Sequence, residues 1–213
     1  MIKKLASAAF IASLCSVSAH AHEVWLEREG ATIRAYVGDK TGDVDTGEAI
    51  TKLVATSKLF NRDPDQAQRV TAHDDHLSAH VNGDGDIRYF NDQLWLPWQS
   101  DGKYKAAAFQ AKAGRSEISP VFDFELVPTE PGSDSFTLIF QGVPVTDKGV
   151  TVINPRNWEK TFATDADGRF TVPVMEGGLY VLVARHEAPA DVEIAGRQVS
   201  TLQHIASLSF VAE

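Results

Sequence analysis

Histidine has the most chemistry to offer in this chain, and several of its seven copies fall at telling places. His22 follows Ala19-x-Ala21, a small-x-small signal-peptidase pattern behind Lys3, Lys4 and an apolar run over residues 5–18. Cleavage after Ala21 makes His22 the first residue of the mature chain. An amino-terminal histidine presents its α-amine and ring Nδ1 together and closes a small chelate ring on a metal. The amine has a reference pKa of about 7.7–8.0, so a divalent metal displaces its proton near neutral pH. One more imidazole would complete a histidine brace, an arrangement that suits copper or nickel. An exported chain that simply begins with histidine has the same sequence, so the junction alone leaves both readings open.

The rest of the composition narrows the donors. The only cysteine, Cys15, lies in the expected leader, and Leu14 before it makes a poor lipobox. Beyond the leader there is no thiol, hence no disulfide and no thiolate metal site. A zinc, copper or nickel site must use histidine, carboxylate or the amino terminus. The chain carries 20 Lys and Arg against 29 Asp and Glu, a net −9 with histidine neutral. Loss of Lys3 and Lys4 with the leader makes it more acidic still. That balance argues against nucleic acid and anionic membrane surfaces as partners. No apolar run after the leader is long enough to span a bilayer. The leader looks bacterial, so the expected location is the periplasm, and no hydrolase triad or metallohydrolase motif suggests an enzyme.

Two further groups of histidines depend on the elements beneath them. In residues 69–81, a two-residue turn at Asp74-Asp75 sets His73 opposite His76, Ala72 opposite Leu77 and Val70 opposite Ala79. One face of that hairpin collects Val70, Ala72, Leu77 and Ala79, and the other collects Arg69, Thr71, His73, His76, Ser78 and His80. His73 and His76 then stand within reach of a shared metal, or on an ordinary wet face. Near the C-terminus, period-two alternation puts His204 on one face with Leu202, Ala206, Leu208 and Phe210, and His186 on one face with Tyr180, Leu182 and Ala184. Both histidines fall where a core-side face reaches a strand end. That position suits a ligand on a rigid strand, and equally a buried histidine bonded to a carbonyl.

The elements around these residues read as short strands. Residues 23–27 and 31–37 alternate, and residues 39–49 form an acidic Gly/Thr loop without EF-hand spacing. Trp95 and Trp98 belong to an aromatic cluster, either core or a stacking surface for a sugar. Residues 103–112 fit a strand or a short helix. After the Pro-flanked segment 120–128 and a turn-rich stretch, strands are expected at 135–141, 149–153, 160–164, 169–174, 179–185 and 203–211. Asp167-Gly168 marks a hairpin turn. The expected fold is all-β: a signal peptide at 1–21 followed by two β-sandwich domains, an N-terminal one at 22–124 and a C-terminal one at 125–213.

The opening His22-Glu23-Val24-Trp25-Leu26-Glu27 resembles the mature start of the NikM-like family of exported bacterial proteins. Phe124-Glu125-Leu126-Val127-Pro128, Phe140-Gln141-Gly142-Val143-Pro144-Val145, Thr164-Asp165-Ala166-Asp167-Gly168-Arg169-Phe170, Arg185-His186-Glu187 and residues 204–210 resemble, in order, the second half of that family. The resemblance covers the leader edge and residues 120–213. It implies a two-domain all-β periplasmic protein of immunoglobulin-like/transthyretin-like sandwiches, the C-terminal one transthyretin-like, related to periplasmic components of nickel or cobalt uptake. The chain departs from the transporter subtype, lacking a Met-His start and a C-terminal membrane helix, which points to a soluble metal-handling relative. The site this implies joins His22 to His186 or His204 around nickel, cobalt or copper, with a membrane metal transporter as partner. A histidine-brace copper enzyme and a non-catalytic module binding a protein or carbohydrate are the other two readings.

Overall fold

The computed structural model describes residues 22–213. The expected leader, 1–21, lies outside them. Within them the fold is all-β. In chain order the strands are β1 (Glu23–Glu29), β2 (Thr32–Gly38), β3 (Lys58–Phe60), β4 (Thr71–Ala72), β5 (Leu77–His80), β6 (Ile87–Asn91), β7 (Trp98–Ser100) and β8 (Lys103–Ala113). There follow β9 (Phe124–Pro128), β10 (Ser135–Phe140), β11 (Val143–Pro144), β12 (Gly149–Ile153), β13 (Glu159–Ala163), β14 (Arg169–Thr171), β15 (Gly178–Ile194) and β16 (Arg197–Ala212). No helix among the described residues is long and apolar enough to cross a membrane.

The molecule is built in three layers. An eight-stranded sheet, ordered β13-β12-β15-β16-β8-β6-β3 with β7 on β8, forms the middle. The sheet β1-β2-β5-β4 covers one of its faces, and β9, β10, β11 and β14 cover the other. β15 and β16 feed both cores by simple alternation. Val181, Val183 and Ile205 belong to the core under β1 and β2, while Tyr180, Leu182, Ala184, Ala206 and Leu208 belong to the core under β9 and β10. Strands buried on both faces read as continuous apolar runs, as these do.

The two halves of the chain are joined through that middle sheet. β16 pairs parallel to β8, from Val199 opposite Tyr104 to Ser209 opposite Ala113. The expected boundary at 124/125 falls inside β9, and the sheet takes strands from both sides of it. β8 is a strand despite its helix-favouring alanines, because both its faces are covered: Ala107, Phe109, Ala111 and Ala113 point into one core, and Ala106, Ala108, Gln110 and Lys112 are buried behind. Tertiary burial overrides local propensity here.

Buried charges fix the segment that enters β9. Arg88 and Lys112 lie side by side on β6 and β8, and both reach Glu125, at 3.0 and 3.3 Å. Glu125 also accepts backbone N–H groups from Val121 and Phe122 at 2.7 and 2.9 Å. Desolvation pushes the Lys112 ammonium below the ordinary lysine range, against the pull of Glu125 and Asp86. Such a cluster is strongly destabilised by removing one member, since the remaining charges stay buried without a partner. Its positional effect is to seat Phe124, the neighbour of Glu125, over the second core.

Candidate functional site

β15 and β16 form one long hairpin, closed by Ala195 and Gly196, which adopt φ of 48° and 73°, the backbone of a type I′ turn. Its register sets His186 directly opposite His204. The parity expected from sequence holds: both side chains face the core under β9 and β10. The expected position at strand ends is corrected: β15 continues to Ile194 and β16 begins at Arg197, so the two histidines pair within the hairpin.

The pair lies beneath the last rung of the covering sheet, where Phe124 pairs with Phe140. Phe140 packs on both imidazoles, at ring-centroid distances of 4.4 Å from His186 and 5.2 Å from His204. Phe124 stands 5.6 and 6.3 Å from the same rings. His204 is only 5% exposed, and its Nδ1–H donates to Gln110 Oε1 of β8 across 3.4 Å, near the outer limit for such a bond. His186 is half-buried. Desolvation, followed by the Lys148 charge, holds His186 below the ordinary imidazole range. Desolvation also lowers His204, against the pull of Asp123 and with a further push from His186. Both shifts favour the neutral imidazole, the form that keeps one ring nitrogen free of a proton.

His22 lies elsewhere. Its Nε2 stands 3.1 Å from Asp45 Oδ1, and its ring meets Trp95 edge-on at 5.8 Å. β1 crosses the opposite face of the middle sheet, where Ser207 Oγ donates to the carbonyl of Val24 and Ser209 Oγ to that of Leu26. Glu23 likewise pairs with Arg185, whose side chain points away from that of His186. The middle sheet thus separates His22 from His186 and His204. The physical reason is strand parity: β1 packs on the odd-numbered residues of β16, and His204 is even. Among the described residues, no group of three or more His, Cys, Asp or Glu side chains converges as a metal cage.

Other features have structural explanations. Trp95 packs against Phe109 at 5.1 Å and supports the first core, while Trp98 is 37% exposed. Asp165 Oδ1 accepts the backbone N–H groups of Asp167 and Arg169, so that loop is a turn held by its own side chain. A cavity of about 710 Å³ opens at the other end of β15 and β16, near Arg28, Gly83, Arg115 and Val211. Its two arginines are already engaged. Arg28 donates to the carbonyls of Gly30, Gly83 and Gly85. Arg115 pairs with Asp134 and lies over the Phe210 ring at 4.3 Å.

No family model matches the chain, and no curated protein matches it.

Proposed function

We propose that the protein is a periplasmic relative of the NikM-like proteins that handles nickel, cobalt or copper, holding the ion with the imidazoles of His186 and His204. The observation that supports this most is the direct opposition of the two histidines on rigid paired strands, in surroundings that favour the neutral form of both rings. A neutral imidazole is the form that binds a metal. Gln110 favours the Nδ1–H tautomer of His204 and so leaves Nε2 as donor. Phe140 covers both rings, so its side chain must turn outward for an ion to enter. Two protein ligands leave the remaining positions to water or to a partner, such as a membrane transporter. That suits transfer of cargo better than permanent storage.

Titration calorimetry with nickel(II) tests the reading. His186→Ala and His204→Ala should each remove the tight binding event. His22→Ala, which alters a residue across the sheet, should leave it intact. Unchanged affinity in both His186→Ala and His204→Ala would sink the proposal.

A further inference from the structure

A second pair of imidazoles stands on the outer sheet, in a different setting. β4 and β5 form the hairpin that the sequence pattern predicts, with Thr71 opposite Ser78, Ala72 opposite Leu77, and the N–H of His73 donating to the His76 carbonyl at 2.8 Å. Val70, Leu77 and Ala79 are buried beneath it. The rings of His73 and His76 stack, 4.4 Å between centroids and 11° between planes. Tyr36 lies beside His76 at 5.3 Å, and Trp25 stacks on Tyr36 at 5.3 Å, so the pair ends a row of four rings across the sheet.

Each imidazole has one nitrogen engaged and one free. His76 Nδ1–H donates to the Asp75 carboxylate at 2.6 Å. A carboxylate on one ring nitrogen orients the ring and raises the basicity of the other, as in the histidine–carboxylate pairs that support metals. His73 Nε2 and Ser78 Oγ share a hydrogen bond of 2.8 Å, and with the ring proton on Nε2 the hydroxyl oxygen accepts it and Nδ1 keeps its lone pair. His73 Nδ1 and His76 Nε2 have no hydrogen bond among the described residues. Two imidazoles bound side by side to one ion, at a metal–nitrogen distance of about 2.0–2.1 Å, have centroids about 4.5–5 Å apart. The observed 4.4 Å matches that separation, but the rings are stacked face to face with 11° between their planes, so both must turn about χ2 out of the stack for a shared ion to lie in the plane of each. Asp74 and Asp75 are exposed at the turn and add negative charge around it.

We propose that this hairpin is a surface metal site of its own, where His73 Nδ1 and His76 Nε2 hold one divalent transition ion with water in the remaining positions. It is independent of His186 and His204. Copper(II) is the probe, because it binds nitrogen donors most tightly in its row and broadens nearby nuclear resonances. In the intact protein, less than one equivalent of copper should broaden the amide signals of Tyr36, Asp75 and Ser78. That broadening should persist in His186→Ala/His204→Ala and disappear in His73→Ala/His76→Ala. Asp75→Asn keeps both ligands but loses the supporting carboxylate, and should weaken the site about 10–100-fold. Broadening at Tyr36 and Ser78 that survives His73→Ala/His76→Ala, or that is lost in His186→Ala/His204→Ala, overturns the proposal. His73 is exposed while the His76 side chain is only 15% exposed, so unchanged amide spectra without copper are needed to verify folding.

Discussion

The two histidine pairs are placed by the same device and governed by different forces. In each, facing positions of an antiparallel hairpin bring two imidazoles together. His186 and His204 lie at the rim of a core, under Phe124 and Phe140, with a single side-chain hydrogen bond, of 3.4 Å, to their surroundings among the described residues. His73 and His76 lie on the outer sheet, the first exposed and the second half-buried beneath it, stacked on each other, with a polar partner of 2.8 or 2.6 Å for each ring. Desolvation decides the behaviour of the first pair, and local polar partners decide that of the second. A change in packing should therefore be felt at one pair and a change in a polar neighbour at the other.

Among changes at the two pairs themselves, the largest expected effect comes from removing the packing. Phe→Ala costs about 3–5 kcal/mol at fully buried sites, and half-buried Phe140 should cost about 2 kcal/mol. Urea unfolding of Phe140→Ala measures it. The same variant opens the rings of His186 and His204 to water, so their proton affinities should return toward the ordinary imidazole value in a nuclear resonance titration. The stacked pair at the hairpin should keep its chemical shifts. A loss of stability well under 1 kcal/mol, or shifts that move at His73 instead, would break the contrast.

Acid gives the next largest effect, and its sign follows from burial. His186 and His204 sit below the ordinary imidazole range when folded, and in the unfolded chain they return to about 6.5. Between the folded and unfolded values the unfolded state binds more protons, so stability falls as pH drops from 7 through about 6.5 and levels off once both folded rings are protonated. Asp123 opposes this at His204, while Lys148 reinforces it at His186. The urea midpoint of the metal-free protein should fall over that window, with a shallower slope in His186→Phe/His204→Phe. An equal slope in that variant would remove these two histidines as its cause.

Local pattern carried the sequence reading a long way. Facing registers around Asp74-Asp75 were enough to place His73 against His76, and period-two parity was enough to put His186 and His204 on a core face. What local pattern lacks is knowledge of which strands become neighbours. The parallel contact of β16 with β8 joins residues nearly a hundred apart, and it alone makes Gln110 a partner of His204. The extension of β15 past residue 185 was hidden by Pro189 and by mixed polar residues around a register shift. The expected union of His22 with the C-terminal histidines failed to anticipate that β1 packs on the opposite face of the middle sheet. Arg88, Lys112 and Glu125 look like surface charges in sequence, and only their meeting under residues 115–125 makes them a buried cluster.

The smallest expected effect is the stability change at exposed His73. His73 is exposed, and its ring contributes stacking on His76 and one hydrogen bond to Ser78. Exposed side-chain hydrogen bonds compete with water, and surface substitutions away from caps, cavities and strained backbone usually stay within about 0.5 kcal/mol. The fold of the hairpin rests instead on Val70, Leu77 and Ala79 below and on the backbone bond from His73 to His76, which alanine retains. His73→Ala should thus leave the urea midpoint within that margin while abolishing copper broadening at Ser78. Leu77→Ala, in the same hairpin but fully buried, should cost about 2–5 kcal/mol. Comparable losses from His73→Ala and Leu77→Ala would mean that the stacked rings hold the hairpin together, and the distinction between a pair set by packing and a pair set by polar neighbours would fail.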